Sequence, residues 1–389
     1  MSTNETMINR YSRAFMNTFG PPQLALVRGE GTYVWDLDGR RYLDLLGGIA
    51  VNALGHAHPA LVAAATNQVG TLGHISNFFT SPAQVELGEK IQDVFTQSGY
   101  AEPAKVFLTN SGTEAIEAAL KLTRLHKPEG RVLALSHSFH GRTFGALTLT
   151  DKPAIKDQFA PLAGSVEFVE PSPEALDAAF APGNVAAIFM EPIQGEVGVM
   201  PLPAGLLAHA RRLCDDAGAL LVIDEIQTGV GRTGQWLASA GVQADVVTLA
   251  KGLGGGFPIG ACVGVGATGE LFTPGSHGST FAGNPVASAV ALATLTEVEG
   301  LLGHVGATGD WLISELSAAG YSVRGEGLLI GIAVSDGPAI RDRLLGQGII
   351  VNAPNPTTIR LAPPLIITKA DLAPFLTIMA EYAREFQES

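Results

Sequence analysis

Chemistry-bearing residues follow five short apolar runs in turn. After residues 105–108 come Thr109-Asn110-Ser111-Gly112-Thr113-Glu114, and after residues 131–135 come His137, Phe139, His140, Gly141 and Arg142. Residues 186–190 lead into Glu191, Gln194 and Glu196, and residues 219–223 into Asp224, Glu225, Gln227 and Thr228. Residues 246–249 lead into Ala250 and Lys251. One polar stretch after a strand is ordinary loop composition. Five in succession imply a site, because ligands of open α/β sheets bind beyond the carboxyl ends of the strands.

Lys251 is the sharpest of these signals. It is the only lysine between residues 157 and 368, and it passes from an apolar strand into Gly252-Leu253-Gly254-Gly255-Gly256. Desolvation there lowers a lysine pKa and makes the amine nucleophilic, as carbonyl chemistry requires. Asp224 ends another apolar run, and a buried carboxylate needs a partner. Ser111-x-x-Glu114 has the form of a capping box, which by itself marks only a well-capped helix. The same helix start offers N–H groups and hydroxyls to a phosphate. No Gly-x-x-x-x-Gly-Lys-Ser/Thr run is present, so this is not a nucleoside-triphosphate loop. A reactive lysine, a buried aspartate and a phosphate-ready helix start are the three contacts that pyridoxal 5'-phosphate needs. A structural Lys–Asp ion pair is the competing explanation of the first two.

Other motifs carry less. Gly229 to Gly234 and Gly264 to Gly269 both match Gly-x-Gly-x-x-Gly, but neither has a suitable acidic residue ~20 positions on, so both are expected to be turns. His56-Ala57-His58 and His137-x-x-His140 sit in loops without thiolates or clustered carboxylates, and no metal site is expected.

The elements that must position these residues follow from the apolar pattern. Continuous apolar strands separated by helices predict an α/β fold, with a mostly parallel sheet covered by helices on both faces and a smaller α+β domain beside it. Residues 258–265 read as a strand that is antiparallel or at an edge, and residues 283–299 as a helix. We expect residues 1–54 to form an N-terminal arm and part of the small domain. Residues 55–285 would be the large cofactor-binding domain, and residues 286–389 the C-terminal small domain. The composition suits a deep core: 46% of residues are apolar and 16% charged. No run approaches the ~18 apolar residues of a membrane helix. The net charge of −13 argues against nucleic acid or an anionic membrane as partner. Cys214 and Cys262 are too few for a disulfide framework and read as buried free thiols. Residues 1–20 lack the apolar core of a secretory signal, and the expected location is the cytoplasm.

The ordered blocks also resemble a known family. They are Leu46-Gly47-Gly48-Ile49-Ala50-Val51-Asn52, Gly55-His56-Ala57-His58-Pro59, Phe139-His140-Gly141-Arg142-Thr143 and Glu191-Pro192-Ile193-Gln194-Gly195-Glu196. Asp224-Glu225-Ile226-Gln227-Thr228-Gly229, Ala250-Lys251-Gly252, Gly278-Ser279-Thr280, Gly283-Asn284-Pro285 and Ile359-Arg360-Leu361-Ala362-Pro363-Pro364 continue the series. From about residue 17 to 366 the chain resembles the class III pyridoxal-phosphate aminotransferases, and within them the acetylornithine branch.

The resemblance implies the aspartate-aminotransferase fold (fold type I) and a homodimer with its active site at the subunit interface. It implies Lys251 as the lysine that carries the cofactor and Asp224 as the partner of the ring nitrogen. Gln227 would bond the ring hydroxyl and Phe139 would stack on the ring. Ser111, Gly112 and Thr113 would hold the phosphate with Thr280 of the other subunit. Arg142 and Arg360 would bind substrate carboxylates beside Ser279, with Glu196 acting as a switch on Arg360. The implied reaction moves the terminal amino group of N2-acetyl-L-ornithine to 2-oxoglutarate, a step of arginine biosynthesis. Ornithine, 4-aminobutyrate and succinyl-diaminopimelate are the alternative amine donors. Thr113, Ile116 and Phe19 depart from residues common in the family.

Overall fold

The computed structural model of the chain describes residues 3–387; Met1, Ser2, Glu388 and Ser389, the outer ends of the first and last expected segments, lie outside them. The N-terminal strands β1 (Leu26–Glu30), β2 (Tyr33–Asp36) and β3 (Arg41–Asp44) form an antiparallel meander. The central sheet uses β4 (Ala104–Thr109), β5 (Arg131–Leu135), β6 (Val166–Val169), β7 (Val185–Met190), β8 (Leu220–Asp224), β9 (Val246–Leu249) and β10 (Gly260–Val265). Its spatial order is β4-β10-β9-β8-β7-β5-β6. Only β10 runs against the rest, pairing antiparallel with both β9 and β4.

Every residue of β7, β8, β9 and β10 is buried. That explains their unbroken apolar character, since both faces of the sheet are covered by helices. β10 was expected to be antiparallel or at an edge. It is antiparallel but interior, because its return run inserts between β4 and β9 and leaves β4 and β6 as the edges. β6 escapes a reading by apolar runs because it is short and carries Glu167 at an edge, where half-exposed positions accept charge.

The chain's two ends build together. β13 (Ile349–Ile350) pairs in parallel with β3, so the N-terminal meander is completed by a C-terminal strand. β11 (Val323–Glu326), β12 (Leu329–Ala333), β14 (Asn352–Asn355) and β15 (Thr358–Leu361) make a second four-stranded sheet in the order β11-β12-β15-β14. This sheet carries Arg360. Among the described residues no single helix is long and apolar enough to cross a membrane. The helix pair Pro285–Glu299 and Leu302–Ala318, bent by 63°, approaches that composition. Its Val290, Ala291, Val298 and Leu312 are fully buried, as in a core helix.

Candidate active site

A cavity of about 430 Å³ lies where β4, β5, β7, β8 and β9 end. Ser111, Gly112, Thr113, Phe139, Arg142, Asp224, Gln227 and Lys251 all line it. Residues scattered over 140 positions thus meet because parallel strands deliver their following loops to one edge of the sheet.

Lys251 leaves β9 through an abrupt turn. Ala250 sits at φ −167°, ψ −139°, and Lys251 itself has φ +41°. A non-glycine residue in that left-handed region is strained, and such strain persists where the surroundings fix a functional side chain. Burial lowers the Lys251 pKa, and the charges of Glu196 and Asp224 only partly oppose it. The amine thereby moves toward its neutral, nucleophilic form. A second strained element borders the cavity. Gly47, Gly48, Ile49 and Ala50 have φ of 54°, 65°, 67° and 61° in succession, a left-handed turn leading into the cavity residue Val51.

Asp224 ends β8 and is buried. One carboxylate oxygen accepts from the Ile226 N–H at 3.0 Å and the Thr248 hydroxyl at 3.2 Å. The other lies 2.7 Å from His140 Nδ1. Burial disfavours a charged His140, yet the hydrogen bond and charge of Asp224 outweigh it and raise the His140 pKa. His140 Nε2 is buried with no partner. Sequence reading weighed His140 only as a metal ligand. Its signal as the aspartate's partner was its place in the loop that follows β5, at the same edge of the sheet where Asp224 ends β8. Glu191, at the end of β7, was also missed as a site residue. It lines the cavity, accepts from the Phe139 N–H at 3.1 Å, and burial pushes its pKa up to about 7.

Arg360 arrives from the second sheet and is 1% exposed. Its Nη1 donates to Glu196 Oε1 at 2.6 Å, Gly195 O at 3.2 Å and Gln227 Oε1 at 3.2 Å. Its Nη2 donates to Asn352 Oδ1 at 2.9 Å. Burial alone would raise the Glu196 pKa, but the Arg360 charge and hydrogen bond overcome it and hold the carboxylate ionised. Because Gln227 Oε1 accepts from Arg360, the Gln227 amide NH2 is its free donor. Arg142, by contrast, is exposed to the cavity. Its guanidinium lies 6.0 Å from the Phe139 ring centroid and has no carboxylate partner among the described residues.

Ser111 caps the helix Gly112–His126, accepting from the Glu114 N–H at 3.3 Å. The reciprocal half of the expected box falls one residue earlier. Glu114 accepts from the Asn110 N–H at 2.7 Å and the Asn110 amide at 2.8 Å, bracing the turn that precedes the helix. The N–H groups of Gly112 and Thr113, both in the cavity lining, have no intrahelical acceptor. Ser279 is tied to the same turn, accepting from Asn110 Nδ2 at 2.9 Å. Thr280 is exposed and does not line its own chain's cavity.

This donor set fits pyridoxal phosphate. A lysine amine, a carboxylate held by a buried histidine, an amide donor, an aromatic ring and a helix start would each meet one feature of the cofactor. Both cysteines are buried and free, and burial raises each thiol to about 12.

The aminotransferase class-III family profile matches residues 15–382. The acetylornithine aminotransferase of Mycolicibacterium smegmatis is 48% identical over 385 residues, spanning 96% of this chain and 97% of the relative. Among solved structures, the ornithine aminotransferase of Toxoplasma gondii has a TM-score of 0.92 at 31% identity, covering 100% of this chain and 96% of that one. PLP partially occupies the active site of that protein. The N-acetylornithine aminotransferase of Stenotrophomonas maltophilia K279a has a TM-score of 0.81 at 35% identity, covering 96% and 98%.

Proposed function

Because the chain belongs to the class-III aminotransferases, pyridoxal-phosphate enzymes of fold type I, we propose that it transfers the terminal amino group of N2-acetyl-L-ornithine to 2-oxoglutarate. The products are N-acetyl-L-glutamate 5-semialdehyde and L-glutamate, in arginine biosynthesis. The observation that carries the substrate reading is the buried Arg360–Glu196 pair, joined to the cavity through Gln227, together with the open Arg142 that lines it. Initial rates with N2-acetyl-L-ornithine, L-ornithine, 4-aminobutyrate and N-succinyl-diaminopimelate test it. The acetylated donor should give the highest kcat/KM, and a higher value for any other donor overturns the reading.

When bound, the cofactor supplies an aldehyde carbon for the amino group and an electron-withdrawing ring. The chain's own residues do the rest. Lys251 Nζ, moved toward its neutral form by burial, takes the proton from the substrate carbon that bears the amine. The Asp224 carboxylate, steadied by His140, would hold negative charge against the ring nitrogen. Gln227, whose Oε1 accepts from Arg360, would donate from its amide NH2 to the ring hydroxyl. Phe139 would cover the ring, and the first N–H groups after Ser111 would take the phosphate. Two half-reactions share one site, so steady-state kinetics should be ping-pong.

Glu196 resolves a charge problem between the two half-reactions. Glutamate carries two carboxylates and can occupy both Arg142 and Arg360. Acetylornithine has one, and its reacting amine is at the far end, so Arg360 would otherwise face an apolar chain. An uncompensated buried charge costs several kcal/mol, so Glu196 pairs with Arg360 in that half-reaction and releases it for glutamate. Glu196→Ala should therefore slow the acetylornithine half-reaction about tenfold or more beyond any loss with glutamate. Single-turnover measurement of each half-reaction checks this, and equal losses refute it.

The working unit in this reading is a homodimer in the cytoplasm, where two buried free thiols are at home. An exposed apolar patch supports the dimer. Phe78, Phe79 and Phe281 are 92%, 71% and 62% exposed, and Asn77 Nδ2 ties this loop to Ser279 O at 2.8 Å. Thr280, next to Phe281, would reach the partner's cofactor phosphate. Mixing inactive Lys251→Ala and Thr280→Trp subunits tests it. Half the dimers should be mixed, each with one intact site, so activity should recover to about a quarter of wild type. No gain over the parents, with mixed dimers shown to form, would mean that Thr280 serves its own chain.

A further inference from the structure

We propose that the Thr113 hydroxyl is a positioning group for the Arg142 loop, and that only the backbone of Thr113 is left for the cofactor phosphate. The inference rests on the reading above in which Arg142 binds a substrate carboxylate.

The hydrogen bonds around Thr113 leave its hydroxyl nothing to give an anion. Glu117 Oε1 accepts from the Thr143 hydroxyl at 2.6 Å, the Gly145 N–H at 2.8 Å and the Ala146 N–H at 3.1 Å. The single Thr143 proton is therefore committed to Glu117. Thr113 Oγ1 lies 2.8 Å from Thr143 Oγ1, so in this pair Thr113 must be the donor. Its oxygen accepts from the Arg142 N–H and the Thr143 N–H, each at 3.2 Å. One proton and two lone pairs exhaust a hydroxyl. A phosphate at the helix start would find the Thr113 N–H available and the hydroxyl already spent.

Gly141 makes this reach possible. It has φ +132°, and a Cβ there would lie 2.3 Å from Thr113 Oγ1. Only the bare backbone lets the hydroxyl approach the loop. The result is a short tie from the helix that starts the phosphate cradle to the loop that presents Arg142 toward the cavity. Glu117, one helical turn further on, holds the far side of the same loop through the start of the helix Phe144–Thr148. Among the described residues Arg142 has no carboxylate to orient it, so its direction depends on this backbone anchor and the Phe139 ring.

The test compares Thr113→Val, which keeps the shape and loses the hydroxyl, with Thr113→Ser, which keeps the hydroxyl. Two quantities are measured: the Kd of pyridoxal phosphate for the apo-protein, and KM and kcat of the holoenzyme for N2-acetyl-L-ornithine and L-glutamate. Thr113→Val should raise KM for both substrates about tenfold, with a smaller fall in kcat, because two loop N–H groups lose their acceptor. Cofactor Kd should stay within about threefold, and Thr113→Ser should restore KM. A cofactor Kd that rises as far as KM would make the hydroxyl a phosphate ligand and overturn the proposal. So would a Ser variant no better than Val, or an unchanged KM. If Thr113→Val does not fold, Thr113→Ala carries the same comparison. A wild type that ignores acetylornithine, with the KM shift still present for glutamate, would reject the donor assignment and leave this inference standing.

Discussion

Replacing Lys251 with alanine is expected to leave a folded protein that binds pyridoxal phosphate without a covalent bond and turns over at least about 10⁴-fold more slowly. In the proposed reaction the lysine does two things, carrying the cofactor and moving the substrate proton, and no other lysine lines the cavity. The remaining lining groups can hold the cofactor but none can bond its aldehyde. The fold should survive, because the site loses a partly desolvated cation and the φ +41° position accepts alanine no worse than lysine. Circular dichroism, mass spectrometry of the borohydride-reduced protein and turnover together check this. Near-normal transamination by a folded Lys251→Ala protein would remove Lys251 from the mechanism.

Asp224→Asn should be nearly as damaging. The substitution keeps the shape and deletes a buried negative charge, and if losing that charge costs the reaction what breaking a buried pair costs a fold, about 3–5 kcal/mol, turnover falls roughly 10²–10⁴-fold. It also has a signature outside catalysis. Burial lowers the His140 pKa and Asp224 alone supplies most of what raises it. In the variant burial wins, and the His140 value should fall below the ordinary histidine range. The sign for stability follows. A histidine whose folded pKa is raised stabilises the fold below its unfolded value, and the contribution is lost as pH rises through the folded value. The Asn variant should lack that slope. Nitrogen chemical shifts of His140 and unfolding free energies across pH 5–9 read both effects. Turnover within about tenfold of wild type, or an unmoved His140 titration, would reject the pairing as the source of the site's charge.

How far the site was legible depended on how local each signal was. Lys251, Asp224 and Ser111 were found because each follows an apolar run, and a buried strand writes itself into consecutive residues. Gly112 and Thr113 came with the helix start for the same reason. Arg360 and Thr280 follow no such run, while Arg142 and Glu196 do follow one but took their roles only from the resemblance. His140 had the local signature, yet its role was missed. Nothing in its neighbourhood names Asp224, which lies 84 residues away and reaches it only across the sheet edge. Glu191 was seen as a motif residue, but its raised pKa comes from burial and neighbouring charges that the chain order does not display.

The sequence by itself determined the elements and their sidedness. Residues 131–135, 220–224 and 246–249 are strands because unbroken apolar runs bounded by polar turns have no better place than a doubly covered sheet. Polar residues at their ends then had to meet at one edge. Tertiary structure alone decided which of those residues touch. The Arg360–Glu196 pair depends on a C-terminal sheet folding against the loop after β7, and the interior place of β10 depends on strand order. The direction of the Thr113 proton depends on Glu117 and Thr143 arriving from two different segments. Apolar patterning acts on neighbours in the chain, whereas a hydrogen bond or an ion pair is settled within a few ångströms in space, between residues that the chain keeps far apart.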